Sequence, residues 1–234
     1  MYNNAKYGLV FLLLLPLLTR AQLEADNWVF SPLYQYVNFN KATQPVLLSN
    51  PGQAIIGGTT YSDKNGQLLF YSDGSAVYNR NFHLMPSTDP SAIVNGNPGQ
   101  LLYSSIGSYT QEALAVPYPD HDSLYLLFHI YYGFTNNLKS ELLYSVINMN
   151  MDSGKGGVDM VQRNIPLLGP LFNGTNVFFK LTAILHCNKK DIWIVGHLAN
   201  SDKYFSFLVT STGINPTPVY SSGNFISSVN YPDT

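Results

Sequence analysis

Alternating apolar strands that run into a polar turn and then a second alternating strand occur three times in this chain. They are TTYSDKNGQLLFYSDG at residues 59–74, AVPYPDHDSLYLLFHI at 115–130 and AILHCNKKDIWIVGH at 183–197. A period of two puts successive side chains on opposite faces of a strand. An antiparallel unit of this kind cannot bury its own apolar face, so its recurrence predicts units stacked on one another.

Each unit reads as four strands. In the first, strands are expected at 55–61, 67–71, 76–79 and 82–85, with Asn65-Gly66 in the first turn as the signal for positive φ. In the second they fall at 112–116, 123–132, 141–148 and 158–163, with the glycine-rich loop 152–157 before the last. In the third they fall at 179–186, 191–198, 203–210 and 217–220. Leu69, Leu126 and Trp193 mark the second strands, 57 and then 67 residues apart. That spacing is longer than the about 40 to 50 residues usual for propeller blades, with the excess in loops such as 133–139 and 169–176. The predicted fold class is all-β and propeller-like, with four-stranded antiparallel blades near 53–86, 110–167 and 178–222 in an incomplete ring. A β-sandwich is the alternative.

The chain ends read differently. Residues 1–6 are polar with one positive charge, 8–18 are leucine-rich and apolar, and Thr19-Arg20-Ala21 closes on a small residue. This is the pattern of a secretory signal peptide, expected to span 1–21. The apolar run is shorter than the about 20 residues a membrane span requires. Residues 28–31 and 45–48 read as strands ahead of the first complete unit. Residues 225–229 read as the first strand of a further blade occupying 225–234, so the expectation is an N-terminal piece of a longer protein.

Composition agrees with an exported β protein. Charged residues make up 11% and aromatics 14%, while 18 Gly and 14 Pro punctuate turns. A net charge of −2 leaves no basic footprint for nucleic acid. The single Cys187 cannot close an intramolecular disulfide, so stability must come from packing and strand ladders.

Several blocks, in order, resemble a known family. They are Asn27-Trp28-Val29-Phe30, Gly66 to Gly74 (GQLLFYSDG) with Val77-Tyr78-Asn79-Arg80 and Met85-Pro86, and Tyr144 to Met149 (YSVINM) followed by Gly156-Gly157-Val158. Further on come Lys180-Leu181-Thr182-Ala183 with His186, Asp191-Ile192-Trp193-Ile194-Val195, and Leu208 to Gly213 (LVTSTG). Together they are similar to the N-terminal β-propeller region of large exported proteins of Bacteroidetes, relatives of which often carry a C-terminal gliding-associated sorting domain read by the type IX secretion system. The resemblance implies a secreted or cell-surface protein with a binding or adhesion role. It supplies no catalytic residues, and no sorting domain is present in these 234 residues.

Candidate chemistry is sparse. Asp63, Asn65 and Asp73 have the oxygen ligands a Ca²⁺ site uses, yet they occupy turn positions where Asp and Asn serve backbone geometry. The loop 152–157 lacks the spacing of a phosphate cradle. The histidines are His83, His121, His129, His186 and His197; the last two end neighbouring strands and would meet across a hairpin, but without further ligands. Cys187 beside His186 suggests a nucleophile and base, although strand neighbours point to opposite faces. Glu112, Glu141 and Asp191 are the acids nearest strands, and nothing pairs them for glycoside hydrolysis. Asn173-Gly174-Thr175 matches a glycosylation acceptor. Two aromatic groups would offer stacking platforms, Tyr131, Tyr132 and Phe134 at a strand end and Tyr34, Tyr36 and Phe39 in an N-terminal connection. No catalytic, cofactor or metal residues are assigned. The expected function is a non-enzymatic extracellular binding or scaffold module for a glycan or protein; a polysaccharide hydrolase or lyase is the alternative.

Overall fold

A computed structural model describes residues 24–30, 35–39, 45–49, 58–86, 113–133, 139–168 and 176–227. The expected signal peptide and Glu112, Phe134 and Asn173 lie outside them. The described residues are all-β, sixteen strands and one 3-10 turn at Asp152–Gly154, and every pairing is antiparallel. Among them no helix is long and apolar enough to cross a membrane.

The strands form four sheets in chain order. The first holds β1 (Asn27–Phe30), β2 (Gln35–Asn38) and β3 (Val46–Ser49); the second holds β4 (Thr59–Ser62), β5 (Leu68–Ser72) and β6 (Val77–Asn79). The third holds β7 (Ala113–Pro117), β8 (Leu124–Gly133), β9 (Lys139–Asn148), β10 (Gly157–Val158) and β11 (Ile165–Leu168). The fourth holds β12 (Val177–Leu185), β13 (Ile192–Leu198), β14 (Ser201–Thr210), β15 (Gly213–Ile214) and β16 (Val219–Ile226). Most neighbours in sequence pair with one another, whereas β11 pairs with β9 and β16 with β14. In the β4–β5 turn, Asp63 Oδ1 accepts the N–H groups of Asn65 and Gln67, and Gly66 takes the positive φ of 75° that its type permits.

Alternation decides what each face does. On β8, Leu126, Phe128 and Ile130 join β9 residues Leu142 and Val146 in a core shared with Phe179, Leu181, Ile194, Phe205 and Phe207 of the fourth sheet. The intervening Leu127 packs the other way, with Ile147, Ala113 and Ala115, against Leu69, Phe70, Val77 and Met85 of the second sheet. The second sheet turns Tyr71 and Tyr78 toward Val29 of β1. The third sheet is therefore covered on both faces, which is why 124–130 reads as a nearly continuous apolar run.

β4, β7 and β12 touch in succession and run the same way. Ala115 N–H donates to Thr59 Oγ1, and Tyr61 lies against Tyr125, the partner of Pro117, so both strands advance together. The first sheet breaks this pattern. Asn27 Nδ2 donates to Ser62 Oγ and Val29 N–H to Thr60 Oγ1, so β1 runs opposite to β4.

Four expected elements differ. The outer strand expected at 82–85 is reduced to an isolated bridge between Leu84 and Tyr78, so the second sheet has three strands rather than four. Residues 35–38 form β2 rather than a connection, completing the sheet begun by β1 and β3. The outer strand expected at 158–163 is two short strands on β9, because Asp159 Oδ1 caps the N–H groups of Val161 and Gln162 and lifts the chain into a turn between β10 and β11. Phe225 and Ile226 do not open a new sheet; they finish β16, and Ile226 pairs with Ser201 of β14. The β16 ladder continues from Val219, so no turn separates it from Phe225.

Candidate functional site

Because β4, β7 and β12 are co-directional, their following turns gather at one end of the stack. Two polar ties lie there: Lys190 Nζ of the β12–β13 turn lies 3.9 Å from Asp120 Oδ1 of the β7–β8 turn, and His121 Nε2 donates over 3.1 Å to Ser211 O of the β14–β15 turn. Both are exposed, where such pairs contribute little energy but place the turns. Where the second and third sheets meet at this end, the Tyr61 and Tyr125 rings lie 4.8 Å apart, with Phe70 at 5.9 and 5.5 Å beneath them. Both tyrosines are half-buried.

Both phenols are held protonated, chiefly by burial. Burial raises the Tyr61 pKa most, then Tyr125 and Glu24 add to it. Burial is also the main cause for Tyr125, followed by the carboxylates of Asp63, Asp122 and Glu24. Each carboxylate disfavours a second negative charge nearby, so the phenols stay protonated. The result is a pair of half-buried phenols packed on the buried Phe70 ring, with carboxylates near enough to act on Tyr125. It suits a neutral polyhydroxylated ligand or a cationic group.

The other candidates resolve into structural roles or remain apart. Asp73 Oδ1 accepts from Ser75 N–H, Ser75 Oγ and Ala76 N–H, as Asp63 does in its own turn. The two acids cap opposite ends of five-residue β5, about 17 Å apart at strand rise, so they cannot share an ion. Among the described residues no group of three or more His, Cys, Asp or Glu is placed to hold a metal. The loop at 152–157 is a tight turn closed by Lys155 on Asp152 at 3.0 Å, with Arg80 donating to Gly154 O, and strand β10 follows instead of a helix.

His186 and His197 do not meet. His186 N–H donates to Asp191 O at the hairpin turn, whereas His197 pairs with Tyr204 near the far end of β13. Cys187 and His186, by contrast, do touch, with Sγ 3.6 Å from Nδ1. The strand rule fails because β12 stops at Leu185 and both residues belong to the turn. There the ring also accepts Asn188 N–H at 3.2 Å, and Asp191 takes the Asn188 amide at 2.7 Å, so the group organises a turn around an exposed thiol. Glu141 faces Tyr131 across β8 and β9, and Asp191 is occupied by its turn; they are not paired. Tyr131 is half-buried on β8, Tyr36 is on β2, and Phe39 is exposed beside Trp28 at 5.3 Å.

One pairing escaped the sequence. His129 Nε2 lies 3.3 Å from Ser145 Oγ, which also accepts Asn164 N–H. Both side chains are fully buried, and burial lowers the His129 pKa from 6.5 to about 3. A serine sealed from solvent is closed to substrate, so the pair ties β8 and β9 to the turn before β11. Its signal was present: His129 and Ser145 share a face two residues off register. The Tyr61–Tyr125 pair was also missed, since only the stacking of separate units brings those turns together.

No family model, curated protein or solved structure matches the chain.

Proposed function

We propose that this is an exported, non-enzymatic binding module of propeller-like construction, which engages an extracellular glycan through the tyrosine and carboxylate rim. The observation that carries the reading is the contact of the half-buried Tyr61 and Tyr125 rings over buried Phe70, at the end of the stack where the β4–β5 and β7–β8 turns lie. Aromatic faces stack on sugar C–H surfaces while carboxylates accept from hydroxyls, a recurring mode of glycan contact. The co-directional leading strands of the last three sheets support blades, and the apolar run at 8–18 behind a basic start supports export. Surface display in the manner of the exported proteins the chain resembles, with adhesion as its role, follows from the same reading.

The test is calorimetric titration of purified chain with fractionated bacterial and plant polysaccharides. Binding that falls at least tenfold in Tyr125→Ala and in Asp122→Asn, without release of reducing sugar, supports the module. Reducing-sugar release that disappears in Glu141→Ala would instead establish a hydrolase.

A further inference from the structure

Three methionines, Met85, Met149 and Met151, converge on one glycine pair. A Cβ at Gly156 would stand 2.6 Å from Met85 Cε and 2.8 Å from Met149 Sδ; one at Gly157 would stand 2.9 Å from Met151 Sδ and 2.9 Å from Pro86 O. The thioether side chains therefore press directly on the backbone, and only glycine leaves them room.

The pair lies at a seam between sheets. Gly157 and Val158 form β10 of the third sheet, while Met85 N–H donates to Val77 O on β6 of the second. Two polar ties cross the seam: Val158 N–H donates to Pro86 O over 3.0 Å, and Arg80 donates to Gly154 O. Met85 and Met149 also join Val158, Ile147 and Leu69 in the core that the two sheets share. The turn leading into β10 holds Asp152 at a φ of 47° and Ser153 at 54°, a left-handed conformation unfavourable for residues with a Cβ. The contacts at the seam hold that strained turn in place.

The three sulfurs differ in access. Met85 is fully buried and Met149 is 8% exposed, whereas Met151 is half-buried at the rim. A dissolved oxidant reaches Met151 first.

We propose that Met151 is a peroxide-sensitive latch, whose oxidation to the sulfoxide frees β10 and the 152–156 turn from the second sheet. The sulfur gives two electrons to hydrogen peroxide, the O–O bond breaks, an S–O bond forms and water leaves. The new oxygen is a hydrogen-bond acceptor placed near Pro86 O, itself an acceptor, and against glycine backbone that leaves no space for another atom. It either takes the Val158 N–H from Pro86 or turns out to water and draws the side chain off Gly157. Both routes loosen the tie to the second sheet. Enzymatic reduction of the sulfoxide restores the contact.

Amide hydrogen exchange of the whole chain tests this, in a Cys187→Ser background that removes the exposed thiol. Limiting hydrogen peroxide should oxidise Met151 ahead of Met149 and Met85, as read by peptide mass spectrometry. Exchange at Val158 should then rise at least tenfold while β13 is unchanged, and methionine sulfoxide reductase should reverse the rise. Met151→Leu should abolish the response, and Met160→Leu, at another half-buried position, should leave it intact. Met151→Gln puts a polar group at the same point and should raise Val158 exchange without peroxide, which keeps the test decisive if the leucine variant does not fold. Complete oxidation of Met151 with unchanged Val158 exchange overturns the proposal. So does a response that survives in Met151→Leu, or one that appears only with unfolding of every sheet.

Discussion

The third and fourth sheets have the same meander and nearly the same register, yet among the described residues one is covered on both faces and the other on one. Phe128 of β8 is fully buried between β9 and the fourth sheet, while Val195, its counterpart on β13, is half-buried on the outer side. Two histidines are buried on faces of different kind. His129 is sealed on the inner face against Ser145; His197 lies on the outer face, its Nδ1 donating to Leu198 O at 2.6 Å and its Nε2 buried with no hydrogen-bond partner among the described residues. Strand pattern alone does not set burial, because the neighbouring layer decides which alternate positions leave water.

The largest expected difference is between Phe128→Ala and Trp193→Ala. The first leaves a cavity between two sheets and should cost about 3 to 5 kcal/mol in urea unfolding. The second should cost about 1 kcal/mol, because one side of the ring is already in solvent. Equal losses would show the fourth sheet's outer face to be as enclosed as the third sheet's.

Close packing gives the next contrast. A Cβ at Gly196 would sit 2.2 Å from Cζ of the fully buried Phe205, whereas one at Gly223 would sit 2.5 Å from Cε2 of the half-exposed Tyr204. Gly196→Ala should therefore destabilise by about 1 to 3 kcal/mol, and Gly223→Ala by less as the Tyr204 ring swings outward. Thermal unfolding of the two variants reads the difference.

The buried histidine sharpens the comparison by pH. The folded His129 has a pKa of about 3 against 6.5 unfolded, so the folded state binds its proton less readily. Its contribution is complete above pH 6.5 and is lost as pH falls toward 3. Between pH 6.5 and 5 the chain should lose about 2 kcal/mol, and His129→Gln should flatten that slope. A slope unchanged in the variant would place the titrating group elsewhere.

The smallest effect belongs to a turn far from both faces. Asp73→Ala removes the acceptor of three hydrogen bonds at the end of β5 and should cost about 1 kcal/mol by urea unfolding.

Much of this was legible in the chain. Period-two alternation and Asn, Asp and Gly turns located the inner strands of the three units, since both follow from local backbone geometry; the outer strand expected at 82–85 is only the Tyr78–Leu84 bridge. β2 was missed because Gln35–Asn38 is short and only half apolar, and earns its place through Asn38 Nδ2 donating to buried Asn27 Oδ1 at 2.7 Å. The split of the outer strand and the extension of β16 through Phe225 depend on which ladder the chain finds beside β9 and β14. The Cys187–His186 contact depends on β12 ending one residue early.

By itself, then, the sequence determined an all-β chain of repeated antiparallel units, because side-chain alternation and turn chemistry act over a few residues. Tertiary structure alone decided the rest: that β4, β7 and β12 run together, that Tyr61 and Tyr125 meet over Phe70, and that His129 is sealed between sheets while Trp193 and Val195 stay half-buried. Those features arise from layers far apart in sequence, and burial is a property of the layer that covers a face rather than of the strand that presents it.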